Sequence, residues 1–331
     1  MRAVVLVGGF GTRLRPLTRQ RPKQMLPVLG RPMIEWVADW LAANGVQEMV
    51  LSLGYRPEAF TEAYPNARCR GVALRYAVEP EPLDTAGAIR FAARAAGLDQ
   101  DQDPFLVVNG DVITELKVAD LLALHRARGA EATIALTPVE DPSRFGVVAI
   151  DATGRVEAFV EKPERDKAPS NWINAGTYVL QPGVVSAIPE GRKVSIERET
   201  FPALVAAGSL YAVQSTASWV DAGTPASYLA VQLDLARRTH WQPGQVHVHP
   251  SARVQDSVLG DGVVVGPDVV VHGSVIGAAS VVEAGATVTG CVVGDNVRIG
   301  TGAVLDALCV IGDGEVIAPG ARLHAVCVPA G

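Results

Sequence analysis

The chain begins with residues that could cradle an anion. The apolar run Val4-Val5-Leu6-Val7 breaks into Gly8-Gly9-Phe10-Gly11, followed by Thr12 and Arg13, and then by Pro22-Lys23. Glycines without Cβ atoms let backbone N–H groups approach a phosphate closely. Arg13 and Lys23 add the full positive charge that backbone dipoles cannot supply. This combination points to a nucleoside triphosphate. It is not a P-loop, because Gly11 is followed by Thr12-Arg13 where G-x-x-x-x-G-K-[ST] requires Lys-Ser/Thr. Nor is it a dinucleotide fingerprint, because the third glycine of G-x-G-x-x-G would fall at Leu14.

Transfer of a phosphoryl or nucleotidyl group depends mainly on positioning and charge neutralisation. Such a protein needs carboxylates for a divalent metal and a further cation for the acceptor phosphate. Asp111 ends the apolar run Phe105-Leu106-Val107-Val108-Asn109-Gly110-Asp111, where open α/β sheets bind ligands. Asp221 lies in Trp219-Val220-Asp221-Ala222-Gly223-Thr224-Pro225. From the residues alone, either aspartate could instead cap the helix that follows it. Lys162 closes the strand-like Phe159-Val160-Glu161-Lys162-Pro163, a pattern that an exposed ion pair would also produce.

The elements that must position these groups follow from periodicity. Short apolar runs at 3–7, 48–53, 72–77, 105–108 and 132–137 read as strands, and 32–44, 86–96, 117–128 and 226–238 read as helices. Residues 145–149 and 155–160 form an expected hairpin around Asp151-Ala152-Thr153-Gly154. This alternation predicts an α/β domain with a mostly parallel sheet over residues 1–240. Pro243-Gly244 marks its end, and a second domain is expected over 246–331.

The tail is periodic. Aliphatic residues fall at 248 and 254; at 259, 265 and 271; at 276, 282 and 288; at 293, 299 and 305; and at 311, 317 and 323. Steps of six grouped in threes describe a triangular parallel β-helix with the aliphatic residue pointing inward on each side. Cys291, Cys309 and Cys327, 18 residues apart, should then stack on one side of successive coils as small apolar thiols. No histidine shares their spacing to make a zinc site.

The string G-G-x-G-T-R-L-x-P with its downstream P-K resembles the signature of sugar-nucleotide pyrophosphorylases, nucleotidyltransferases that join an NTP and a sugar 1-phosphate. The likeness runs over essentially the whole chain. It implies a Rossmann-like domain followed by a left-handed hexapeptide β-helix, an exception to right-handed crossovers. It also implies that Arg13 and Lys23 neutralise the triphosphate and that Leu6, Gly8, Gly9, Gly11, Thr12, Asn109 and Gly110 help bind the nucleotide. Asp84, Thr85 and Gly87, in Pro82-Leu83-Asp84-Thr85-Ala86-Gly87-Ala88, correspond to a base-contacting loop. Asp111 and Asp221 correspond to the Mg²⁺ carboxylates. Gly146, Glu161, Lys162, Asn174 and Gly176 correspond to the sugar-phosphate pocket. One departure is Asp84, where the family commonly has glycine. Its carboxylate could accept hydrogen bonds from a base or cap a helix starting near Ala86.

Ser143-Arg144-Phe145-Gly146-Val147-Val148, Ser195-Ile196-Glu197-Arg198-Glu199-Thr200-Phe201-Pro202 and the short tail are most similar to the branch using GTP and mannose 1-phosphate. Pro22-Lys23-Gln24-Met25-Leu26-Pro27-Val28 is more similar to the glucose-1-phosphate thymidylyl- or uridylyltransferases. Two other classes stay in view. A β-helix acyltransferase would need a catalytic histidine, with His272 and His324 available. A non-catalytic regulatory paralogue would have lost the signature cations or carboxylates, which this chain keeps.

At 331 residues there is room for two substantial cores. A net charge of −6 argues against nucleic-acid and anionic-membrane surfaces. There is no apolar run of membrane-spanning length or signal-peptide pattern. Four cysteines without a C-x-x-C fit a reduced, cytoplasmic protein. A homo-oligomer is expected, with the β-helix serving assembly or modulation.

Overall fold

The structure, a computed structural model, describes residues 1–242 and 244–330. Pro243, half of the expected boundary signal, and Gly331 lie outside the described residues. The chain forms two compact units that do not follow chain order. One comprises Met1–Gly9 and Ile34–Trp219, and the other Phe10–Met33 and Val220–Gly331. Among the described residues no helix is long and apolar enough to cross a membrane.

The first unit is built on a ten-stranded sheet. At its centre the strand Arg2–Leu6 runs parallel to both Glu48–Leu53 and Phe105–Asn109, and Val72–Val78 extends the parallel set beyond Glu48–Leu53. The central three read as apolar runs because both of their faces are covered, whereas Val72–Val78, nearer the sheet edge, mixes buried and exposed residues. Helices Met33–Ala43, Asp84–Ala95 and Val118–Arg128 lie within about two residues of the expected spans. The hairpin pairs Gly146–Ile150 antiparallel with Val156–Glu161. One long strand, Trp172–Leu180, pairs antiparallel with Phe105–Asn109 and with Ala132–Pro138. Its asparagine and glycine masked it from a periodicity reading. The register shifts between Asn174, paired with Leu136, and Tyr178, paired with Ile134, so Ala175-Gly176-Thr177 bulges out of that ladder.

In the second unit, three five-stranded parallel sheets stack coil upon coil, an arrangement consistent with the expected left-handed β-helix. The residues from Leu259 through Ile317 in the expected rows are buried in one core, with Val254 and Leu323 packed against it. Val248, expected inside, is 41% exposed because it lies on the first coil's edge, beyond which no strand of its sheet follows. At most corners a residue adopts positive φ, as Gly262, Ala279, Asn296 and Gly314 do on one of them. The 18-residue coil fits its extra residue by placing two such residues, Ala307 and Leu308, side by side.

The cysteine ladder is corrected. Cys291 and Cys309 occupy equivalent positions and are buried, since Val292 pairs with Val310. Cys327, however, is in register with Val310, and it is exposed. The final coil is one residue shorter, so Val326 occupies the position expected of Cys327; its carbonyl accepts from Val310 N as that of Cys309 accepts from Val292 N.

Glycines after the inward aliphatics let coils approach. A Cβ added at Gly277 would lie 2.4 Å from the Gly294 carbonyl. Gly277→Ala is therefore expected to destabilise the β-helix by about 1–3 kcal/mol. Thermal unfolding checks this, and an unchanged transition would contradict it.

Candidate functional site

In the first unit, the carboxyl ends of the parallel strands gather Leu6, Gly8, Gly9, Asn109 and Gly110 of the predicted nucleotide residues, while Gly11 and Thr12 belong to the second unit. Gly110 N donates to Leu6 O at 3.0 Å, and a Cβ at Gly110 would strike the Val7 side chain at 2.6 Å. This close approach ties Asn109-Gly110-Asp111 to the start of the glycine loop. Gly8 lies beside Gly54, whose added Cβ would come 2.9 Å from Gly8 O. Gly9 has nothing within 4 Å of where its Cβ would stand, so its backbone is open to a ligand. Asp111 is 8% exposed and leads into the strand Val112–Thr114 rather than a helix, so it is not a cap.

The residues expected on the sugar side lie in the same unit. Gly176 has φ 70°, and a Cβ there would meet Asn109 Nδ2 at 2.5 Å. Asn174 Oδ1 accepts from Gly176 N at 3.0 Å, while its Nδ2 donates to the Tyr178 hydroxyl at 2.9 Å. The bulge in Trp172–Leu180 thus brings Gly176 against Asn109, with Asn174 bonded to Gly176 N beside it. Trp219 Nε1 donates to Ala175 O at 2.8 Å, and the Trp219 ring meets Phe145 edge-on at 6.0 Å. Gly146 faces Glu161 across the hairpin, and its added Cβ would fall 3.0 Å from Glu161 Oε2. Lys162 holds φ 52°, a conformation costly for a long side chain. Its N–H donates to Phe145 O at 2.9 Å, and Nζ sits 3.3 Å from Glu161 Oε1 with the side chain over half exposed. A strained, exposed cation beside a glycine suits a phosphate-bearing ligand.

Asp84 is also placed here. It has φ 61°, a left-handed conformation that glycine adopts without strain. The helix begins at Asp84 itself, with Leu83 at the cap, so the capping alternative does not hold. Its Oδ1 accepts from the adjacent Thr85 N at 2.8 Å. The N–H groups of Ala86 and Gly87 go instead to Val194 O at 2.9 and 3.2 Å. Thr85 Oγ1 donates to Glu197 Oε2 and accepts from Ile196 N, both at 2.8 Å.

Sequence reasoning missed Glu79. It sits at the carboxyl end of Val72–Val78, the criterion that selected Asp111. Its Oε1 accepts from Ser52 Oγ at 2.8 Å and its Oε2 from Leu83 N at 3.3 Å. A Cβ at Gly8 would be 3.2 Å from it. Burial raises its pKa against the lowering effect of those two hydrogen bonds.

In the second unit, the strap Phe10–Met33 carries the signature cations. Gly11, at φ 61°, opens the 3₁₀ turn Thr12–Leu14, and Lys23 opens another, Lys23–Met25. A Cβ on Gly11 would meet Thr18 Cγ2 at 3.0 Å and Lys23 Cβ at 3.3 Å, so the two turns pack against each other. Thr18 Oγ1 fastens the same loop by donating to Gly11 O at 2.8 Å. Asp221 and the Arg13 guanidinium meet at Gly223, whose added Cβ would lie 2.7 Å from each. Asp221 Oδ1 accepts from Gly223 N at 2.8 Å. The cap of the following helix Pro225–Arg238 is Thr224, in a capping box with Ser227, so Asp221 is not the cap.

Among the described residues no group of three or more His, Cys, Asp or Glu is arranged to hold a metal. Asp111 and Asp221 each offer carboxylate oxygens, the hard donors of a cation that completes its shell with water and phosphate. His272 is exposed, and His324 Nδ1 lies 2.6 Å from Asp306 Oδ1 in an exposed pair on neighbouring coils.

Comparison with known proteins agrees with these features. The nucleotidyl transferase family model matches residues 2–238, and the GMPPB C-terminal domain model matches 242–329. A mannose-1-phosphate guanylyltransferase of Mycobacterium tuberculosis is 40% identical over 319 residues, covering 92% of this chain and 82% of the relative. Mannose-1-phosphate guanylyltransferase 1 of Arabidopsis thaliana is 40% identical over 277 residues, covering 81% and 75%. Among solved structures, HddC from Yersinia pseudotuberculosis covers 71% of this chain and 99% of its own, at 28% identity and TM-score 0.60. The same values hold for HddC complexed with GMP-PN. With both domain models matched and relatives 40% identical over most of the chain, the chain belongs to the nucleotidyl transferase family and is a sugar-1-phosphate nucleotidyltransferase.

Proposed function

We propose that the protein converts GTP and mannose 1-phosphate to GDP-mannose and pyrophosphate. The observation carrying the base and sugar is the 40% identity, over most of the chain, to relatives named mannose-1-phosphate guanylyltransferase. The catalytic domain is taken as 1–240 and the β-helix domain as 246–331. An oxygen of mannose 1-phosphate attacks the α-phosphorus of GTP in line. A new P–O bond forms as the α–β bridging bond breaks, and pyrophosphate departs with the bridging oxygen. No general base is required, because a phosphate monoester is already ionised at neutral pH.

Arg13 and Lys23 neutralise the triphosphate, and the open backbone at Gly8, Gly9 and Gly11 approaches it, with Thr12 alongside. Leu6, Asn109 and Gly110 line the nucleotide at the strand ends, while Asp84, Thr85 and Gly87 present the base loop. Lys162 orients the attacking phosphate. Glu161, Asn174, Gly146 and Gly176 hold the sugar. Asp111 and Asp221 bind the divalent cation, Mg²⁺ in this reading, which supplies charge compensation for the triphosphate oxygens. A cytoplasmic homo-oligomer completes the proposal, and light scattering of the purified chain reports its assembly state.

A pyrophosphate-release screen of five NTPs against several sugar 1-phosphates tests the substrates. GTP with mannose 1-phosphate should exceed every other pair by about tenfold or more, the range in which pocket contacts discriminate. A best rate with dTTP or UTP and glucose 1-phosphate would replace this assignment with the thymidylyl- or uridylyltransferase one.

A further inference from the structure

The strap bearing Arg13 and Lys23 is fastened to the β-helix coils. Pro16 packs on Gly312, where a Cβ would come within 3.1 Å, and the Arg19 guanidinium donates to Ala330 O. The strongest fastening is Arg21. Its Nη2 donates to Asp295 Oδ2 at 3.0 Å and to Asp313 Oδ2 at 2.5 Å. These aspartates occupy the same corner of successive coils, and each uses its other oxygen to close that corner. Asp295 Oδ1 accepts from Ala278 N and Asp313 Oδ1 from Asp295 N, both at 2.9 Å.

The carboxylates are therefore held by the coil before the arginine arrives. Side chains of all three residues are less than a third exposed, so water screens the cluster incompletely. Burial opposes the arginine charge, and the Asp313 and Asp295 carboxylates outweigh it, raising the Arg21 pKa further. One carboxylate would suffice to hold the strap down, whereas two acting on one nitrogen fix its position as well.

That position is passed on over a short, stiff path. Pro22, with φ −59°, separates Arg21 from Lys23, which enters its 3₁₀ turn at once, with Leu26 N donating to Lys23 O at 3.1 Å. The Lys23 stem packs on Gly11, which opens the turn containing Arg13. Further along, the Tyr228 hydroxyl donates to Pro27 O, and Leu29 N to Gln232 Oε1 at 3.2 Å, anchoring the outgoing strap on Pro225–Arg238.

We infer that Arg21, locked between Asp295 and Asp313, is a positioning residue for the triphosphate cations, making the β-helix corner part of the catalytic machinery rather than a separate assembly module. The inference rests on the reading of Arg13 and Lys23 given above. A shift of about 1 Å at such cations can cost on the order of 10²-fold in rate.

The test is steady-state kinetics on the full chain with GTP and mannose 1-phosphate, alongside thermal unfolding. Arg21→Ala should raise the KM for GTP by about tenfold or more, leave the KM for mannose 1-phosphate within about twofold, and lower kcat. The pair Asp295→Asn with Asp313→Asn should reproduce this split, and combining all three changes should add little. Arg21→Lys should recover part of the loss. If Arg21→Ala does not fold, the near-isosteric Asp313→Asn alone carries the test through the same KM split. Equal changes in both KM values, or an unchanged KM for GTP in a folded variant, would overturn the proposal. Lys23→Ala run in parallel separates the two readings. Near-normal turnover there removes the triphosphate assignment itself, whereas its loss beside unaffected Arg21 variants removes only the positioning role.

Discussion

Lys23→Ala should lower turnover by about 10²–10³-fold while leaving the fold intact, the magnitude typical of removing one preorganised donor to a developing charge. Nucleotidyl transfer gives the protein little covalent work, so its rate rests on charge placed before the substrate arrives. Lys23 meets that condition. Its stem is packed against Gly11, its backbone is fixed in the turn Lys23–Met25, and Pro22 restrains the residue before it. Truncation removes the ammonium and leaves these backbone restraints, so the unfolding temperature should move by only a few degrees. Lys23→Arg should restore little, because a planar guanidinium does not reproduce a compact ammonium at the same reach. Pyrophosphate release under saturating substrate measures the effect. Near-normal turnover in Lys23→Ala would end the assignment of this strap to the triphosphate.

How far the sequence reveals the molecule depends on which interactions fix each part. The parallel strands were legible because burial on both faces leaves continuous apolar runs, and the β-helix because an inward residue must recur each coil. The strand Trp172–Leu180 was not legible, since its bulge at Ala175-Gly176-Thr177 interrupts the alternation. The same bulge presses Gly176 onto Asn109. Cys327 failed for a related reason. A spacing of 18 looks like a ladder, but the register is set by backbone pairing, and a one-residue change in coil length removes it. Asp84 became intelligible only through φ, because an aspartate tolerates the left-handed conformation that glycine prefers. Glu79 was within reach of the strand-end rule, but Glu79-Pro80-Glu81-Pro82 reads first as a loop. The packing of Phe10–Met33 with the β-helix had no sequence signal at all. It depends on Arg21 meeting two aspartates more than 270 residues away.

Asp111→Asn and Asp221→Asn should each weaken the metal requirement's apparent affinity by about tenfold or more and lower maximal turnover, and chelation should abolish activity until a divalent cation is restored. Both substitutions keep side-chain volume and remove one negative charge, so they isolate the carboxylate's role in holding a hard cation. Their structural costs differ in a useful way. Asp221 Oδ1 already accepts from Gly223 N at 2.8 Å, and an asparagine oxygen can keep that turn, so the Asp221 variant should fold normally. Asp111 is nearly buried beside Gly110, whose backbone is fixed to Leu6 O, so an amide there faces the same closed surroundings without the charge. Since neither aspartate caps a helix, loss of a cap contributes nothing to either phenotype. Titrating activity against Mg²⁺, with Mn²⁺ binding followed directly as a second readout, distinguishes loss of the cation from loss of the fold. If either variant kept wild-type Mg²⁺ dependence and wild-type Mn²⁺ binding, that aspartate would not be a metal ligand, and the charge compensation at the triphosphate would fall to Arg13 and Lys23 with the other carboxylate alone.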